Sequence, residues 1–79
     1  MNAKIDWSVG QNIKRCREAG GMTQETVAAK MRELGCEMTR SALAKIEVGQ
    51  RHLYADELIR LREILNTEYD VILSVRDGD

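Results

Sequence analysis

Four residues near the middle of the chain have the types and spacing to read the edge of a nucleic-acid base. Arg40, Ser41, Ala44 and Lys45 fall on one side of a helix, opposite Leu43 and Ile46. Arginine can donate bidentately to guanine O6 and N7, a serine hydroxyl can donate or accept, and an alanine methyl can meet the thymine methyl. Lys45 adds a second cation for base or phosphate, and Thr39 opens the same surface. An ordinary solvated helix face would use the same charged types, so the weight of this reading depends on what surrounds it. Lys30, Gln50 and Arg51 have the chemistry to meet phosphate oxygens, with Lys14 and the single histidine, His52, as lesser candidates. Enzymatic chemistry lacks its parts. One histidine, no His/Cys/Asp cluster at ligand spacing and no Gly-rich phosphate loop leave no nucleophile, base, metal site or cofactor site.

These side chains can act only if local structure presents them. Thr39 is a hydroxyl N-cap, and the helix behind it ends at Gly49. Ahead of it, Thr23 caps a partner helix beginning at about Gln24, with Glu25 favourable to the dipole. Val27, Ala28, Met31 and Leu34 form that helix's inward face, and Gly35 is its left-handed C-cap. Upstream, Ser8 can cap a helix over about Val9 to Ala19 with Val9, Ile13 and Cys16 inward, stopped by Gly20 and Gly21. Met1 to Asp6 read as a flexible lead-in, and Trp7 as a core plug in preference to a base-stacking contact. Downstream, Ala55 to Leu65 forms a helix on Leu58, Leu61, Ile64 and Leu65, with Asp56 and Glu57 at its dipole and Asn66 as its C-cap. A short helix over about Thr67 to Leu73 follows. The expected division is a lead-in over 1–8, one all-α five-helix domain over 9–73 and a frayed tail over 74–79.

The composition agrees. Seventy-nine residues with no Pro and no Phe make one small, helix-favouring domain that buries a modest share of its surface. The formal net charge of −1 argues against a nucleic-acid partner, since binders are usually basic overall. Distribution answers this in part: screening confines each charge to about 8 Å. Lys14, Arg15, Arg17, Lys30, Arg32, Arg40, Lys45 and Arg51 lie early, whereas Asp56, Glu57, Glu63, Glu68, Asp70, Asp77 and Asp79 weight the end towards acid. Cys16 and Cys36 have neither metal-ligand spacing nor a secretory context, which favours reduced thiols and a cytoplasmic location. Cys16 reads as a small core residue. Cys36 could sense oxidants, but no residue near it in sequence is placed to activate its thiol. No apolar run approaches membrane-spanning length.

The ordered set of IKRCR at Ile13 to Arg17, Thr23-Gln24-Glu25, Ala28, Ile46-Glu47 with Gly49, and LIRLREIL at Leu58 to Leu65 resembles the helix-turn-helix DNA-binding domains of the phage repressor and Cro type. That resemblance implies a lambda-repressor-like five-helix domain with the helix from about Thr39 to Glu47 in the major groove. It also implies that Gln24 contacts DNA backbone and braces the reading helix, and that Arg17 and Glu47 form a structural ion pair. The interval from Ala28 to Ile46 departs from the pattern, being about five residues longer than the compact turn of the motif. An extra turn over Arg32 to Leu34 and a longer connection over Cys36 to Met38 accommodate it. The expected function is sequence-specific binding of double-stranded DNA as a transcriptional regulator, a repressor, acting as a homodimer on half-sites roughly 34 Å apart. A protein-binding helical module, or an antitoxin-like protein with an added protein partner, is the alternative reading.

Overall fold

Hydroxyl caps, glycine stops and apolar stripes resolve into five helices in the computed structural model, which describes residues 3–75: α1 (Ala3–Ala19), α2 (Gln24–Glu33), α3 (Arg40–Glu47), α4 (Ala55–Leu65) and α5 (Tyr69–Leu73). The described residues contain no strand, so the all-α, five-helix expectation holds. Thr23 Oγ1 accepts from the Thr26 N–H and Thr39 Oγ1 from the Ala42 N–H, each at 3.0 Å, so both predicted caps act on free N–H groups of their helices. Gly35 and Gly49, with φ of 83° and 76°, take the left-handed conformation that ends α2 and α3. Asn66 does the same after α4.

The core draws on every helix. Val9 and Ile13 of α1, Val27, Ala28 and Met31 of α2, Leu43 and Ile46 of α3, Leu61 and Leu65 of α4 and Ile72 of α5 are buried together. Each large side chain taken fully from water contributes about 1.5–3 kcal/mol. Leu34 departs from its expected inward position: it is the C-cap of α2 and 42% exposed. Cys36 and Met38 supply the buried apolar surface beyond α2 instead, tethering the long connection.

The beginning of the chain corrects the expected start of the first helix. α1 already runs from Ala3, and Ser8 lies inside it with its side chain buried rather than capping an end. Ala3 to Trp7 contain no helix breaker, and Asp6 suits the first-turn dipole, so the helix continues past a residue that merely could have capped it. Trp7 is 43% exposed and is no core plug; its backbone is what packs, lying beside Gly49. The expected flexibility at residues 1–2 and fraying at 76–79 fall outside the described residues.

One glycine governs how α3 sits on α1. A Cβ built at Gly10 would lie 2.1 Å from the Ile46 carbonyl oxygen and 2.8 Å from that of Glu47. Alanine normally stabilises a helix interior relative to glycine by about 0.5–1 kcal/mol. Here the obstacle is backbone, with no rotamer to yield, so the two helices must part. We expect Gly10→Ala to destabilise the fold by about 1–3 kcal/mol despite its better propensity. A thermal midpoint equal to or above that of the parent would refute this reading of the contact.

Candidate nucleic-acid interface

The outward side of α3 is open. Leu43, Ile46 and Glu47 are buried, while Arg40, Ser41 and Lys45 are exposed and Ala44 is half-buried. At about 100° per residue, Ser41 and Lys45 stand opposite the buried stripe and Arg40 lies on the flank towards α2. Arg40 accordingly borders an open depression with Lys14 of α1 and with Thr23, Gln24 and Glu25 at the start of α2. Thr39 is exposed at the head of the helix, with its hydroxyl engaged as the cap.

Three contacts fix the far end of α3. Arg17 Nε and Nη2 donate to the two carboxylate oxygens of Glu47 at 2.7 and 2.9 Å. Gln24 Nε2 donates to the same carboxylate at 3.0 Å, and Gln11 Nε2 to the Glu47 carbonyl at 2.8 Å. The bond from Glu47 outweighs burial and raises the Arg17 pKa above its ordinary value. Gln24 therefore spans from the start of α2 to the end of α3. The role of Gln11 is not legible in the sequence, because one amide in a polar stretch of α1 carries no periodic signal.

Three cations on this side are left out of the ion pairs. The ion pairs among the described residues join Arg17 to Glu47, Arg32 to Glu25, Arg51 to Glu57, Arg60 to Glu63 and Arg62 to Glu68. Lys14, Arg40 and Lys45 belong to none of them. Five of the chain's thirteen acidic residues are thus matched by arginines, and none of those five is paired with Lys14, Arg40 or Lys45.

Two residues expected at phosphate sit differently. Arg51 is held bidentately by Glu57 at 2.8 and 2.9 Å and also bonds the His52 carbonyl, while its guanidinium lies 5.2 Å from the Tyr54 ring centroid. The Glu57 bond raises its pKa. With its charge matched by a carboxylate that is itself 4% exposed, Arg51 orders the loop before α4. Glu57 also accepts from the Tyr54 N–H at 3.0 Å, a role hidden in the sequence because any first-turn acid suits the dipole. Lys30 is exposed but stands about 140° round α2 from Glu25, hence away from the depression. Gln50 is exposed just beyond the turn that closes α3, where its N–H bonds the Lys45 carbonyl.

Cys36 is buried, and its thiol donates to Asp56 at 3.8 Å. Burial first, then the Asp56 carboxylate, push its pKa up, which disfavours the reactive thiolate an oxidant sensor needs. Among the described residues no group of three or more His, Cys, Asp or Glu could hold a metal ion, and no helix is long and apolar enough to cross a membrane.

A short capped helix braced on one side, exposed on the other and set against a preceding helix defines a helix-turn-helix module. The chain belongs to the helix-turn-helix family, whose model matches residues 13–72. Among solved structures it is similar to the restriction-modification controller protein C.AhdI from Aeromonas hydrophila, at 27% identity and a TM-score of 0.74, over 85% of this chain and 94% of that one. It is also similar to the DNA-binding domain of BldD, at 15% identity and a TM-score of 0.75, over 92% and 99% of the two chains; this likeness bears on the fold alone. No curated protein matches by sequence. Family membership makes the chain a non-enzymatic protein.

Proposed function

We propose that this chain is a cytoplasmic transcription regulator that binds double-stranded DNA sequence-specifically and represses. α3 lies in the major groove, where Arg40, Ser41, Ala44 and Lys45 meet base edges, while Lys14, Gln24, Thr39 and Gln50 hold the flanking backbone. The observation that carries this reading is the pairing pattern: Arg40 and Lys45 stand exposed without carboxylate partners on a helix whose other side is locked by Glu47. Similarity to a restriction-modification controller supports a regulatory role. A single module this small offers few base contacts, so two copies on half-sites about 34 Å apart form the active species.

Binding to duplex DNA measured against salt tests the proposal. Log affinity should fall linearly with log salt, with a slope of about −0.9 per phosphate neutralised, and sequences selected from a random pool should outcompete bulk duplex. Absence of binding even at low salt would instead favour a helical module whose partner is a protein, which the net acidity would suit.

A further inference from the structure

Residues 34–39, the lengthened connection, decide where the reading helix begins. Cys36 and Met38 fix it to the core, but burying a side chain leaves the adjoining peptide plane free to turn. Arg32, on the last turn of α2, addresses that plane. Its Nη1 donates to the Met38 carbonyl at 2.6 Å and its Nη2 to the Glu25 carboxylate at 2.8 Å. Met38 immediately precedes Thr39, whose hydroxyl and carbonyl receive the Ala42 and Leu43 N–H groups.

We propose that Arg32 is a positioning residue for DNA reading: it clamps the last peptide before α3 to α2 and so sets where Arg40 and Ser41 stand relative to Gln24. The inference rests on the DNA-reading function proposed above and adds a residue that touches no base in it. A compact turn needs no such clamp, because too few residues separate its helices to allow alternatives. The six residues between Glu33 and Arg40 do, since the compact turn has about three or four. The Arg32–Glu25 pair is about half exposed on both sides, so it adds little to stability; its worth lies in orientation.

The test compares the full chain with Arg32→Ala, Arg32→Lys and Glu25→Gln on two duplexes, one selected by the parent from a random pool and one of unrelated sequence. Arg32→Ala should lower affinity for the selected duplex about tenfold, a share of one bidentate base contact. Affinity for the unrelated duplex and the salt slope should stay unchanged. Lysine, which can reach one of the two acceptors, should recover part of the loss, and Glu25→Gln should show a smaller one. Independently of DNA, the Ala42 and Leu43 amides should exchange hydrogen faster in Arg32→Ala while the thermal midpoint barely moves. An unchanged preference between the duplexes, or unchanged exchange at those amides, would overturn the proposal. So would equal losses on both duplexes with the slope reduced by about one, since Arg32 would then be a phosphate ligand. If the parent selects no duplex at all, the proposed function fails, and the exchange measurement still decides the clamp.

Discussion

Alanine at Glu47 should lower the unfolding free energy by about 3–5 kcal/mol, the largest loss expected from any single substitution considered. The carboxylate is 1% exposed and accepts from both Arg17 and Gln24. Its removal leaves the Arg17 guanidinium, itself 8% exposed, with the Met22 carbonyl as its remaining partner. Arg17→Ala strands the opposite charge and should lose a similar amount. Against roughly 4–12 kcal/mol in total for a chain of this length, either change is severe. Removing both partners should be less damaging than the two single losses added together, because no uncompensated buried charge remains. Urea unfolding of the parent, both single variants and the double variant supplies the cycle, and simple additivity would remove the pairing claim. Because the Arg17 pKa is raised in the fold, its contribution is complete below the unfolded-state value. It is lost only as pH rises through the folded one, beyond the ordinary arginine range. Arg17 therefore adds no pH dependence near neutrality. Desolvation offsets most of the attraction in such a pair, so its net effect is to hold the last turn of α3 against α1.

The readable parts of this fold were those in which one residue type has one local job. Thr23 and Thr39 before apolar periods, and Gly35 and Gly49 after them, mark helix ends because caps and left-handed turns admit few side chains. The span Ala55 to Leu65 is readable from the spacing of Leu58, Leu61, Ile64 and Leu65 and from Asn66 at its left-handed C-cap, though not from its N-cap, which is Tyr54. Ser8 misled because a hydroxyl that can cap need not, and the deciding fact was the absence of a breaker upstream. Trp7 misled because side-chain size says nothing about which side of a terminal turn faces inward. At the interface, the exposure of Arg40, Ser41 and Lys45 follows from helical period. The separation of paired from unpaired cations does not, since Arg51 with Glu57 and Arg32 with Met38 depend on tertiary distances. Lys30 and Arg40 look alike in a charge count, yet only Arg40 borders the depression at the start of α2.

That difference allows the second large effect to be tested with an internal control. Replacing both Arg40 and Lys45 by glutamate should reduce affinity for a selected duplex by at least about 100-fold, each base contact being worth about 1–3 kcal/mol. Helical content should persist, because both side chains are exposed and outside every ion pair described. Glutamate at 40 even suits the α3 dipole, while glutamate at 45 opposes it by a few tenths of a kcal/mol. Lys30→Glu changes the charge by the same amount per residue on the far flank of α2, and should weaken binding only through the long-range field, an effect that salt screens. If binding were a matter of total charge, Lys30→Glu would match either α3 substitution taken singly. Should selectivity survive the double reversal, the reading surface lies elsewhere; should Lys30→Glu prove equally harmful, attraction without reading explains the binding. Only a large loss at α3, a small one at Lys30 and an unchanged helical spectrum together place sequence recognition on the side of α3 that Glu47 and Arg17 hold outward.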